Sequence, residues 1–128
     1  MSLFDLIPNK RPAEHGDDEP ELWPELGHDF ELNQFYRHFS GAEGWLGEGY
    51  LAVWTKSEVL EFRAPNFEAY PEKYHFFASD GGGTQFGFLV EGEKISFISA
   101  PDIGDEGDVR VLGEWDDFLK SLQHGDYI

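Results

Sequence analysis

The chain has 128 residues, 26 acidic against 9 basic, a formal net charge of -17 and no cysteine. That length suits one domain burying roughly 65% of its unfolded surface, and a hydrophobic content of 40%, with 12 Phe, excludes a chain that is disordered throughout. The charge repels nucleic acid and anionic membrane, and the missing cysteine excludes disulfides, thiolate nucleophiles and thiolate metal ligands.

Residues 1–21 read as an acidic, Pro-rich leader, with prolines at Pro8, Pro12 and Pro20, and the compact domain is expected to run from about 22 to 124 of a single-domain chain of 128 residues. The opening Met1-Ser2-Leu3-Phe4-Asp5-Leu6-Ile7-Pro8 lacks the basic start and cleavage site of a signal peptide, and no run approaches the roughly 18 apolar residues of a membrane span. A cytoplasmic protein is expected.

Phe30, Leu32, Phe35, Tyr36 and Phe39 approximate helical spacing, which predicts a helix from Asp29 as N-cap to Phe39, ended by Ser40-Gly41. Gly44 to Gly49 reads as a turn, and Tyr50-Leu51-Ala52-Val53-Trp54 as a strand covered on both faces. Thr55-Lys56-Ser57-Glu58 has capping-box spacing and predicts a short helix through about Phe62. Strands are predicted over Tyr74–Ala78, Phe86–Val90 and Lys94–Ile98, the last two joined by the hairpin loop Glu91-Gly92-Glu93. Val109–Leu112 adds an edge strand, and Trp115, Phe118, Leu119 and Leu122 line one side of a closing helix that stops at Gly125. The sum is an α+β fold: one domain with a central, mainly antiparallel sheet flanked by helices. Trp54 and Trp115 fall to its core.

Chemistry has few footholds. Gly47-Glu48-Gly49-Tyr50-Leu51-Ala52 matches a dinucleotide fingerprint in letters, but a strand follows it where the motif needs a helix. There is no P-loop, no serine on a nucleophile elbow, and the five scattered histidines form no zinc pattern. The acidic loop Asp102-Ile103-Gly104-Asp105-Glu106-Gly107-Asp108 does not fit a calcium-binding register, because Gly104 and Gly113 fall where ligands are required. No catalytic residue, cofactor or metal is expected, and the reading is of a binding protein.

Phe76-Phe77-Ala78-Ser79-Asp80-Gly81-Gly82-Gly83-Thr84-Gln85-Phe86-Gly87-Phe88 resembles the strand, Asp-Gly-Gly-Gly turn and strand of the SUKH superfamily, which includes the fungal Smi/Knr regulators and many bacterial immunity proteins. Glycines there permit positive φ and the aspartate can cap the turn's amides, so Asp80, Gly81, Gly82 and Gly83 are read as a structural turn. The likeness continues in order from the Phe/Tyr-rich helix to the Trp115-Asp116-Asp117-Phe118-Leu119 helix, about residues 24 to 122, and departs at Leu26-Gly27-His28-Asp29-Phe30, where a Leu-Pro sequence is usual.

The resemblance implies an immunity protein that binds and neutralises a cognate secreted toxin, and the acidity points to a basic partner such as a nuclease domain. The alternatives are a Smi/Knr-type intracellular regulator or scaffold binding an endogenous protein, and an acidic mimic of nucleic acid. Direct binding to nucleic acid or membrane is not expected. Because interfaces pair aromatic anchors with charged rims, Trp45 with Glu43 and Glu48, and the loop residues Asp102, Asp105, Glu106 and Asp108, are the candidate contacts. The competing reading is a core tryptophan and a solubilising loop.

Overall fold

The structure, a computed structural model, describes residues 9–12, 23–27, 29–59, 61, 73–101 and 106–127. One antiparallel sheet of seven strands organises it: β1 (Asn9–Pro12), β2 (Phe39–Leu46), β3 (Gly49–Val53), β4 (Tyr74–Ser79), β5 (Thr84–Glu91), β6 (Lys94–Pro101) and β7 (Arg110–Gly113). Spatial order equals chain order, so every strand pairs with its neighbour in sequence. The helices α1 (Glu31–His38) and α2 (Trp115–His124) supply buried residues to one face of this sheet. The α+β, single-domain expectation holds.

Alternation along the strands builds that face. Leu51 and Val53 of β3, Phe77 of β4, Phe86 and Phe88 of β5 and Phe97 of β6 meet Leu32, Phe35 and Tyr36 of α1 and Phe118 and Leu122 of α2 in one cluster. Phe118 packs its ring against Phe77, Phe86 and Phe97 at centroid separations of 6.0, 5.6 and 5.7 Å. Each such ring contributes roughly 1.5–3 kcal/mol by leaving water. A smaller cluster of Phe76, Leu89, Ile98 and Ala100 lies apart from the first, with Trp54, Tyr74 and Val109 packed against it. Trp54 and Trp115, assigned to the core, are half-buried residues leaning on the main cluster.

The four C-terminal strands and α2 fall within a few residues of their predicted positions. Around α1 the sequence misleads. The helix runs Glu31–His38 with Phe30 at its N-cap and no side-chain cap, in place of Asp29. It does not end at Ser40-Gly41, because Phe39 is already extended and opens β2 after its amide donates to Phe35 O. Asn33 ties the approach to α1 together instead: its Nδ2 donates to Trp23 O at 2.8 Å and to Gly27 O at 2.6 Å, and Trp23 is completely buried.

Residues 44–46, expected as part of a turn, belong to β2, leaving Gly47 and Glu48 as the turn itself. Residues 9–12 of the predicted leader form β1, an edge strand in which Pro12 lies at the end, where a missing N–H costs no internal ladder bond. The predicted capping box is present: Glu58 N donates to Thr55 Oγ1 and Thr55 N to Glu58 Oε1, both at 3.1 Å, at the start of a helical turn over 56–59. Its predicted end near Phe62 lies outside the described residues.

Candidate functional site

In a meander, alternate connections fall at the same end of the sheet. The β2–β3 turn at 47–48, the Asp80–Gly83 turn between β4 and β5, and the β6–β7 connection therefore share one end. The segment after α2 returns there. Glu48 N donates to Gln123 O at 2.9 Å, the Tyr127 hydroxyl donates to Asp80 Oδ2 at 3.2 Å, and Arg110 pairs with Asp126 at 3.2 Å. This end gathers Glu48, Asp80, Asp108 and Asp126 with Arg110, whereas at the other end Lys56, Lys73 and Lys94 sit among Glu58, Glu91 and Glu93.

Two glycines make the return of α2 feasible. A Cβ on Gly47 would come within 2.5 Å of Gln123 O, and one on Gly49 would overlap Leu122 O, so only glycine lets the turn lie against the helix backbone. In exchange, the Glu48 amide satisfies one of the helix's unpaired terminal carbonyls.

Asp80 caps the turn that it opens. Asp80 Oδ1 accepts from Gly82 N at 2.8 Å and from Thr84 N at 3.2 Å, and Gly81 has φ +79°. Burial, and then the charge and hydrogen bond of Asp80, push the Tyr127 hydroxyl pKa up. The Ser99 hydroxyl donates to Tyr127 O, which helps hold the ring of Tyr127 edge-on to Phe86 at 5.0 Å. Beside it is a cavity of about 260 Å³ lined by Thr84, Ser99, Asp108, Arg110 and Tyr127 among others.

The opposite face of β2 and β3 carries the aromatic anchor. Trp45 is 68% exposed, which removes its reading as a core tryptophan. It is the register partner of Tyr50, and the two rings meet edge to face at 5.3 Å. The Tyr50 hydroxyl donates to Glu43 Oε2 at 2.7 Å, a diagonal contact on the same face. That hydrogen bond is the main reason the Tyr50 pKa lies above its ordinary value, with desolvation and the Glu43 charge adding to it. A Cβ on Gly81 would lie 3.3 Å from Tyr50 Cδ1, so the glycine turn and this aromatic patch are contiguous.

Of the candidate contacts, Glu43, Trp45 and Glu48 are exposed, but Glu48 belongs to the turn facing α2 while Glu43 and Trp45 share a strand face. Asp108 is exposed at the cavity, and Glu106 begins a 3-10 turn. Asp102 and Asp105 lie outside the described residues, as does the Glu106 side chain. The two candidate groups occupy the same end of the sheet, yet β2 and β7 are five strand spacings apart, about 24 Å. Tyr50, the Asp80 turn and Asp126 lie between them and were not among the candidates. Tyr50 was hidden because an alternating strand position reads equally as core.

Among the described residues no group of three or more His, Asp or Glu is placed to hold a metal ion, and no helix is long and apolar enough to cross a membrane. No family model matches the chain, and no curated protein matches it.

Proposed function

We propose that this chain is an immunity protein that binds and neutralises a basic toxin domain of the nuclease kind, with the acidic end of the sheet facing the partner and Trp45 as the anchor. The observation that carries the reading is the exposure of Trp45 at 68% on a strand face where Tyr50 and Glu43 hold each other. A large exposed aromatic beside carboxylates is the composition of a recognition patch: the ring supplies apolar area on desolvation and the charges supply orientation. The net charge of -17 adds long-range attraction for a protein that is itself basic because it holds phosphates. The Asp-Gly-Gly-Gly turn and the order of elements around it support the likeness to the SUKH superfamily, from which the toxin-neutralising role is taken.

The test is a pull-down from the source organism at low and moderate salt, supplied with the toxin domain encoded upstream if there is one. Recovery of a basic nuclease domain whose activity falls on binding is the expected result. Capture of endogenous cytosolic proteins alone would replace this reading with a regulatory scaffold of the Smi/Knr kind.

A further inference from the structure

We infer that Glu43, Trp45 and Tyr50 form a receptor for a single arginine side chain presented by the partner. The inference rests on the reading above that the partner is a basic protein, and it adds which cation is taken and where.

Glu43 and Trp45 are two residues apart on one strand and project from the same face. An exposed indole attracts a cation placed within about 6 Å of its centroid, and a carboxylate one strand repeat away, roughly 7 Å along β2, accepts the same group's hydrogen bonds. A guanidinium spans such a pair: its plane lies on the ring while its fork reaches the carboxylate. A lysine ammonium is compact and strongly hydrated, and it engages the ring or the carboxylate more readily than both.

Tyr50 sets the geometry. Its ring stands at 69° to the indole, and its hydroxyl occupies Glu43 Oε2, so the carboxylate is oriented before the ligand arrives. A carboxylate offers about four acceptor positions, and one hydrogen bond from Tyr50 leaves most of them for a guanidinium. Gly81 of the neighbouring turn lies beside the Tyr50 ring, where a Cβ would come within 3.3 Å of Tyr50 Cδ1.

The experiment is a titration of the full chain with two blocked tripeptides, Gly-Arg-Gly and Gly-Lys-Gly, followed by NMR at the backbone amides of positions 43, 45 and 50, which every variant retains. The expected result is a saturable shift with the arginine peptide at about threefold higher affinity than with the lysine peptide. Trp45→Ala should abolish the preference, Glu43→Gln should weaken it, and Tyr50→Phe should weaken it with the fold intact by circular dichroism. Equal affinity for the two peptides, or an unchanged preference in Glu43→Gln, would overturn the inference. Failure here is separable from failure of the proposed function. A toxin bound equally well by wild type and Trp45→Ala, with no arginine preference, removes both the receptor and Trp45 as the anchor and leaves toxin neutralisation itself standing. An arginine preference in a chain that binds no toxin does the reverse.

Discussion

The backbone amide of Glu48 donates to the carbonyl of Gln123 across 2.9 Å, which joins the β2–β3 turn to the carbonyl end of α2. Gly47 has φ +64° and no room for a Cβ against Gln123, whereas Gly92, at φ +63°, has nothing within 4 Å of the place a Cβ would take. The two glycines separate backbone strain from steric overlap. Gly92→Ala should cost about 1 kcal/mol by strain alone, and Gly47→Ala about 3 kcal/mol because α2 must also move. Urea denaturation of both variants checks this. Equal losses would mean that the turn and helix do not pack as described.

Asp80 serves three donors at once, the amides of Gly82 and Thr84 and the hydroxyl of Tyr127. Asp80→Ala should destabilise by about 1–2 kcal/mol, as loss of a capping side chain does. Asp80→Asn keeps a carbonyl acceptor for the two amides and should cost less than half of that. Tyr127→Phe, which removes the side-chain bond from Tyr127 to the turn, should cost about 0.5 kcal/mol. Thermal unfolding of the three variants gives the order.

Gln85 is 1% exposed, and among the described residues neither of its amide atoms has a hydrogen-bond partner. It faces away from the helices, across from Ser79 on β4 and Ala100 on β6. Unsatisfied buried groups are costly, and methionine nearly matches glutamine in volume. Gln85→Met should therefore raise the free energy of unfolding by about 1 kcal/mol, read from the denaturant midpoint at unchanged slope. A loss would show that the amide is satisfied in solution.

Tyr36 is buried among the core aromatics and donates to Trp54 O at 2.6 Å. Burial, and next the nearby charge of Glu58, push its pKa far above the ordinary 10.0. A raised pKa in the folded state means that the stabilisation is fully present below the unfolded value and is lost as pH climbs toward the folded one. Tyr50 and Tyr127 shift the same way. Stability should hold to about pH 9 and fall steadily above about pH 10. Tyrosinate absorbance should show one group that ionises only with unfolding, and Tyr36→Phe should remove it.

Trp45→Ala should change stability by less than about 0.5 kcal/mol, since the side chain is mostly in solvent. Phe77→Ala should cost about 3–5 kcal/mol, because that ring is fully buried. Against a cognate toxin, the association rate should fall steeply with added salt while dissociation changes little. A salt-insensitive association rate would remove electrostatic steering from the account.

Phe86 to Ile98 was legible because the strands are rich in β-formers and a short glycine loop separates them, and Gly92 sits at the turn with φ +63°. α2 was legible because Trp115, Phe118, Leu119 and Leu122 repeat at helical spacing, and Gly125 adopts the left-handed conformation at its end. β2 was not. Ser40-Gly41-Ala42-Glu43-Gly44 has the composition of a turn, and only its ladders to β1 and β3 make it a strand. Gly41 remains at φ +88° within it, held close to Val53 O and Thr55. Pairing across the sheet overrode local preference there, and with it went the prediction that Trp45 sits in a turn. The capping box at the start of α2, between Glu114 and Asp117, was missed for a related reason: glutamate is an uncommon N-cap.

Because spatial order follows chain order throughout the sheet, each strand emerging from the ribosome finds its partner already made and adds to the growing edge. Helix α2 is the exception. It emerges after all seven strands, yet it rests against the turn that follows β2, so the earliest glycine hairpin waits for one of the latest segments. Until then the aromatic face of β3 to β6 has lost its cover from Phe118 and Leu122, and that interval is when a nascent chain of this protein would most need a chaperone.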